Sequence, residues 1–210
     1  MIKIPTLFVR GNKENNYHVT PMITPGCEWV LEGRGLMTIK IDGLNAQVKE
    51  VTDTTGSGDG TQKFKLYKRL KPADGYNEAS YIPADRDNPM DQYLFEAFDT
   101  LNPHQQSLEG IYEVYGPKIN QNPYKVESHL MVKIAPVDGV LIIGNGQTSI
   151  LRGVGVTAEK LYDAIRTELR SSPEIEGLVF QFEEPTMTLV AAAKIKRKDF
   201  GFVWPPVEVK

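Results

Sequence analysis

The 210-residue chain is 40% hydrophobic, enough apolar material for a sizeable core, and it is read as a single domain spanning 1–210. Its 24 Lys and Arg nearly balance 27 Asp and Glu, so a polyanionic partner must be met by local clustering of cations rather than by the field of the whole molecule. The one cysteine, Cys27, excludes an internal disulfide framework, no Cys/His spacing matches a zinc site, and no segment approaches the roughly 20 apolar residues of a membrane span.

The N-terminal run "MIKIPTLFVRG" is broken by Lys3 and Pro5, which is unlike a signal peptide, and a soluble, cytoplasmic protein is expected. The first clear element is a strand over 36–42 within "GLMTIKIDGLNAQV". Alternation puts Thr38, Lys40 and Asp42 on one face and Met37, Ile39 and Ile41 on the other, so a lysine stands in an apolar run but faces away from the apolar layer. "TGSGDG" at 55–60 reads as a hairpin connection; it lacks the Gly-Lys-Ser/Thr ending of a phosphate-cradling loop. A strand over 63–69 follows. With its flank it clusters Lys63, Lys65, Lys68, Arg69 and Lys71, a pattern that suits either an RNA groove or an aggregation-resistant edge strand.

Met90, Leu94, Phe98 and Leu101 recur at helical spacing. Next come strands over 110–116, 130–135 and 138–143, and a glycine turn "GNGQT" at 144–148. In 110–116, Ile111, Glu113 and Tyr115 share a face, and Gly116 permits a close approach or a sharp turn. A second helix buries Leu161, Ile165 and Leu169, with Thr157 as its N-cap and Pro173 as its stop. It leads into strands over 176–182 and 187–196. Few helices among many strands predict an α+β fold with antiparallel sheets and flanking helices. The histidines His18, His104 and His129 are scattered and read as structural, and Cys27 beside Trp29 reads as a small core residue.

The last strand, "AAAKIKRKDFG", places Lys194 and Lys196 on one face with Ile195 inward. Like charges on one face are destabilising unless an anion lies between them, and a phosphate chain meets that need. Before it, "EGLVF" sets Glu176 ahead of a glycine. A free lysine amine titrates at about 10.4, so a nucleophilic lysine requires desolvation or nearby cations. Lys194, Lys196 and a divalent ion would supply those cations and would neutralise charge on a phosphorus centre under attack. Glu113 and Glu176 offer the hard oxygen ligands that magnesium prefers.

In order, "KIDGLN" from Lys40, "YEVYG" around Glu113, "EGLVF" from Glu176 and "KIK" from Lys194 resemble the motifs of the covalent nucleotidyltransferase superfamily. "YGPKINQNPY" at 115–124, "SHL" at 128–130 and "KDFGFVWP" at 198–205 are similar to the small ATP-dependent 5′-to-3′ RNA ligases within it. The resemblance implies a nucleotidyltransferase (adenylation) domain, ATP and magnesium or manganese as cofactors, and RNA with 5′-phosphate and 3′-hydroxyl ends as partner. It implies that Lys40 attacks the α-phosphate of ATP to become lysyl-AMP, passes AMP to the RNA 5′ end, and that a 3′-hydroxyl then displaces it.

By the same resemblance Asp42, Gly43, Asn45, Arg69, Glu113, Tyr115, Phe180, Lys194 and Lys196 bind the nucleotide, with Glu113 on the ribose. Tyr115 or Phe180 is the candidate to stack on the base, worth about 1–3 kcal/mol. Glu113 and Glu176 are the expected metal ligands, and Lys68, Arg69, Lys118 and Asn122 the expected RNA contacts. The chain departs from the wider pattern at Ile39, where RNA ligases often carry an acid, and at Leu44, where a small hydroxyl residue is usual. The residues after Lys196 are too few for an OB domain, so a lone catalytic domain acting as a monomer is expected. Trp204 is expected to be buried in a packed arm. A nick ligase acting on DNA or a mixed duplex, and a non-catalytic nucleotide- or RNA-binding module, are the alternatives.

Overall fold

The computed structural model describes residues 4–34, 36–51, 63–70, 80–101, 108–134, 156–183 and 189–205. Among them are ten strands: β1 Phe8–Arg10, β2 Val19–Ile23, β3 Leu36–Lys40, β4 Leu44–Val51, β5 Lys63–Arg69, β6 Tyr81–Pro83, β7 Gly110–Tyr115, β8 Leu130–Lys133, β9 Gly177–Glu183 and β10 Leu189–Lys196. The α-helices are α1, Gln92–Phe98, and α2, Ala158–Ser171. Every strand pairing is antiparallel, which makes this a mixed α+β fold. No helix among the described residues is long and apolar enough to cross a membrane. Two compact units are present, one within residues 42–134 and one formed by 4–41 with 156–205.

In the discontinuous unit the sheet order is β10-β9-β3, and a parallel bridge joins Thr6 to Lys194. The register aligns Met37, Phe180 and Ala193 across the three strands. Directly opposed residues project on the same side, so these face one layer with Leu178 and Ile195. The helix α2 supplies Leu161, Ile165 and Leu169, all at most 2% exposed, to the same core. Its heptad-like spacing makes one apolar stripe. The Thr157 hydroxyl accepts from the Lys160 amide at 3.4 Å, closing the helix start as expected. Cys27 and Trp29 are buried there too, and burial, reinforced by the Glu28 charge, raises the Cys27 thiol above its usual pKa.

The other unit is a five-stranded sheet in the order β6-β5-β4-β7-β8. One face is apolar: Ala46, Val48, Leu66, Tyr112 and Val114 pack with Leu94 and Ala97 of α1. The opposite face carries Asn45, Gln47, Lys65, Tyr67, Arg69, Ile111, Glu113 and Tyr115 by alternation.

Several expectations change. The strand foreseen over 36–42 stops at Lys40, so Asp42 is not part of it. Ile39 is 42% exposed whereas Thr38 is only 7% exposed; Ile39 has the core-facing parity, paired with Leu178, but sits near the uncovered strand end. Met90 is 80% exposed because it belongs to the 3-10 turn Pro89–Asp91 ahead of α1, and Ala97 takes the buried position instead. Trp204 is half-buried. The elements expected at 55–60, 138–143 and 144–148, and the residues Lys71 and His104, lie outside the described residues.

Truncating the α2 stripe by Ile165→Ala is expected to remove about 2–5 kcal/mol of stability, and the cap change Thr157→Ala about 1 kcal/mol. Met90→Ala is expected to stay within about 0.5 kcal/mol. Urea unfolding of the three variants measures all of these, and a large loss for Met90→Ala would contradict the placement of that turn.

Candidate functional site

Two polar clusters, one in each unit, contain most of the residues singled out in the sequence. In the discontinuous unit the register puts Lys40, Gly177 and Lys196 in one row across β3, β9 and β10. The two lysines therefore project from the same face of the sheet, with a residue lacking a side chain between them. That glycine is required by backbone proximity: a Cβ at Gly177 would stand 2.2 Å from the Ile195 carbonyl oxygen.

Glu176 immediately precedes β9 and joins the two lysines. Its Oε2 accepts from Lys40 Nζ at 2.5 Å and its Oε1 from Lys196 Nζ at 2.6 Å. The carboxylate is 5% exposed and the lysine side chains are 21% and 22% exposed. A buried carboxylate is retained only when its charge is matched, and here each oxygen has its own ammonium. Lys40 Nζ also donates to the Ile41 carbonyl at 3.4 Å. Lys194 lies one row further along the same face, opposite Val179. The cluster thus collects a primary amine at a strand end, a second amine beside it and a single anion joining them.

In the other unit Gly43 approaches β7 closely. A Cβ there would lie 2.5 Å from the Val114 carbonyl oxygen and 3.2 Å from Glu113 Oε2. Asn45, directly opposite Glu113 in the ladder, donates to Glu113 Oε1 at 3.1 Å and to the Tyr112 carbonyl at 3.5 Å. Its amide oxygen accepts from the Tyr81 hydroxyl. Burial raises the Tyr81 phenol above its usual pKa, Arg69 pulls it back and Glu113 pushes it up again; it stays a neutral donor at neutral pH. Arg69, opposite Tyr81 on the neighbouring strand, is exposed.

Asp42 is held by the loop after β7. Its amide donates to the Tyr124 hydroxyl at 2.8 Å, and Asn120 Nδ2 donates to its Oδ1 at 2.8 Å. Tyr124 meets Tyr115 edge-to-face at 5.3 Å. Three successive non-glycine residues of this loop, Asn120, Gln121 and Asn122, have left-handed backbones at φ of 48°, 64° and 50°, an uncommon run that surrounding contacts must enforce. Asn122 contributes to that by bonding both the carbonyl and the amide of Val126, at 2.8 Å and 3.2 Å.

These placements correct parts of the expected site. Phe180 is 2% exposed within the core, since its register with Met37 and Ala193 turns it away from the lysine row; it has no face to offer a base. Lys68 shares the inward parity of Phe64 and Leu66, and its ammonium donates to both oxygens of Asp91 at 2.7 Å. Asp91 is 1% exposed. The basic run therefore divides by alternation: Lys68 serves a buried ion pair, while Lys65 and Arg69 point to the open face. There Lys65 stands directly opposite Lys49, and Lys49 Nζ lies 5.1 Å from the Tyr67 ring centroid. Asn122 is occupied with its own loop, and Lys118 is exposed with its amide on His129 Nε2 at 3.4 Å. His129 is a satisfied buried ring, bonded to Glu96 at 2.6 Å and stacked on Tyr93.

Sequence reading missed Tyr81, Asn120, Tyr124 and Asp91. Tyr124 and Asn120 stand in the quoted "YGPKINQNPY" and were in view; Tyr81 and Asp91 act through partners 36 and 23 residues away. Among the described residues no group of three or more His, Cys, Asp or Glu side chains could cage a metal. A donor set of single carboxylates fits magnesium, which keeps waters and takes substrate phosphate oxygens, and does not fit an all-protein cage. Comparison of the chain with protein-family models and with curated proteins gave no match.

Replacing Lys68 by Ala leaves the Asp91 carboxylate buried without its cation and is expected to lower stability by about 1–3 kcal/mol. Lys65→Ala, on the open face of the same strand, is expected to fall within about 0.5 kcal/mol of the parent. Paired urea titrations decide this, and equal effects would refute the division of the basic run.

Proposed function

We propose that this chain is an ATP-dependent RNA ligase whose adenylation domain joins a 5′-phosphate to a 3′-hydroxyl through a lysyl-AMP. The observation that carries the reading is the convergence of Lys40 and Lys196 on Glu176, at 2.5 Å and 2.6 Å. Motifs separated by more than a hundred residues meet there, in the combination that covalent phosphoryl chemistry needs: a nucleophilic amine, a cation for phosphate charge and a carboxylate.

In the proposed first step the Lys40 nitrogen lone pair forms an N–P bond to the α-phosphorus of ATP. The bond to the bridging oxygen breaks, and pyrophosphate leaves with that electron pair. The Lys40 ammonium gives up one proton to solvent water before attack and a second as the N–P bond forms, and one N–H stays on the phosphoramidate. Lys196, with Lys194 on the same face, neutralises the α-phosphate and the departing pyrophosphate. Glu176 orients the two amines until the nucleotide's own charge replaces it. Magnesium, when bound, would draw charge from the phosphate oxygens, with Glu176 as the carboxylate offered to it beside Lys40.

Glu113 is assigned the ribose hydroxyls, and Asn45 and Tyr81 hold its carboxylate in place. Tyr115 replaces Phe180 as the aromatic assigned to the base. The exposed cations Lys49, Lys65, Arg69 and Lys118 are assigned to the RNA backbone, and Lys68 is withdrawn from that group. The in-register Lys49–Lys65 pair supports this, because directly opposed like charges are stabilised by an intervening anion.

Incubation with α-labelled ATP and magnesium, followed by denaturation, is expected to leave label on the polypeptide, and Lys40→Ala is expected to abolish it. Absence of retained label under magnesium and manganese alike would favour a non-catalytic binding module. Label from ATP but not GTP, followed by joining of nicked RNA in preference to nicked DNA, separates RNA ligase from its relatives. In an anisotropy titration, Lys65→Glu is expected to weaken RNA binding and to reduce the slope of log affinity against log salt by about 1; an unchanged slope would remove Lys65 from the RNA surface.

A further inference from the structure

Arg197 follows Lys196 directly, opens the 3-10 turn Arg197–Phe200, and is 7% exposed. An arginine this buried ordinarily sits on a carboxylate or a phosphate. Here its guanidinium donates to backbone carbonyls: Nη1 to those of Leu169 and of Ser172, the latter at 3.1 Å, and Nε to that of Val203 at 3.2 Å. Its plane lies 5.5 Å from the Phe202 ring centroid. Desolvation lowers its pKa, opposed by the charge of Glu174.

The Leu169 carbonyl lies in the last turn of α2, where a cation is favoured, and the residue four positions on is Pro173, which has no amide to give it; the Ser172 carbonyl just beyond also accepts from the Ile175 amide at 3.2 Å. The same residue's backbone amide donates to the Glu176 carbonyl at 2.9 Å. One residue therefore ties the end of α2, the turn after it and the segment bearing Glu176 to the strand end bearing Lys196. Two residues further on, Asp199 is 1% exposed; its Oδ2 accepts from the Lys196 amide at 2.8 Å and its Oδ1 from the Arg10 guanidinium. Both main chains that present charged groups to the Lys40 amine are thus anchored in a single turn. Neither anchor touches the Lys40 amine.

We propose that Arg197 is a positioning residue for the Lys40 site: it sets the height of Glu176 relative to Lys40 and Lys196 by clamping the end of α2 to the 197–200 turn. A lysine at this position would carry the charge but not the fork. A single ammonium cannot direct donors to three carbonyls in the guanidinium's fixed geometry. The consequence for catalysis rests on the reading of Lys40 as the adenylylated residue; the clamp itself does not.

The test compares Arg197→Met, Arg197→Lys and Glu176→Gln with the parent 210-residue chain, each first shown by thermal melting to be folded. Acetylation of Lys40 by acetic anhydride, quantified by peptide mass spectrometry, reports whether Glu176 still holds the amine and needs no nucleotide. Labelling of Lys40 is expected to rise in Arg197→Met toward the level of Glu176→Gln, with Arg197→Lys intermediate. In lysyl-AMP formation, the rate at saturating ATP is expected to fall by about 10- to 100-fold, the effect of losing an outer-shell partner, with the KM for ATP changing far less. If Arg197→Met does not fold, Arg197→Lys carries both measurements. Lys40 labelling at the parent level in the folded Arg197 variants overturns the proposal. A parent chain that never forms lysyl-AMP overturns the ligase reading instead and leaves the labelling comparison intact.

Discussion

A carboxylate that is 5% exposed and shared by two ammonium groups constrains everything around it. Its desolvation is offset only while both cations remain within hydrogen-bond reach, so the strands that carry them must keep their register. A slip of one residue in β3 or β10 would turn a lysine into the apolar layer and bring Ile39 or Ile195 up in its place. The apolar row Met37–Phe180–Ala193 and the helix stripe in the same core resist that slip. The core of this unit and the charge cluster on its other face are two sides of one register.

A similar solution recurs in the five-stranded unit. Gly43 lies beside Glu113 as Gly177 lies beside Glu176, and in both places a Cβ would collide with a neighbouring strand's carbonyl oxygen, at 2.5 Å and 2.2 Å. Removing the side chain lets a neighbouring backbone come close, and at Gly43 it also admits the Glu113 carboxylate, whose Oε2 would stand 3.2 Å from a Cβ. The partners differ. Glu176 is balanced by full charges, whereas the Glu113 contacts resolved here include the neutral Asn45 amide, itself fixed by Tyr81. A carboxylate bound by cations is suited to releasing them to an incoming phosphate or to taking a metal ion in their place.

Much of this was legible in the sequence wherever a strong period coincided with burial. The α2 stripe, its Thr157 cap and the strand at 63–69 follow from spacing alone, the strand expected at 110–116 is found one residue shorter, and the alternation of Lys194 and Lys196 against Ile195 is found as written. The strand β4 was not recognised, because "LNAQVKEV" offers only Ala46 and Val48 as buried positions, and β1 and β6 are three residues each, too short for a period. Phe180 illustrates a different gap. Its parity was readable, but which face the lysines shared depended on pairing between strands more than a hundred residues apart. Lys68 was grouped with its neighbours because composition has no sidedness; only alternation against Leu66, and an aspartate 23 residues downstream, assign it inward. Arg197 was hidden in "KIKRKDFG", where a fourth basic residue reads as more surface charge.

Under the proposed chemistry the ion pair that organises Lys40 is also what the reaction has to dissolve. An amine bonded to phosphorus as a phosphoramidate is no longer a cation and keeps a single N–H, so one carboxylate oxygen loses its charge partner as the covalent bond forms while Lys196 keeps the other. The buried anion then needs a new cation at the moment negative charge accumulates on departing pyrophosphate. A divalent ion, held by Glu176, would supply that positive charge. A fixed Glu176 matters in that case for a geometric reason: the oxygen released must already point at the phosphate, and a backbone anchored by the turn that follows Lys196 provides that direction before any nucleotide arrives.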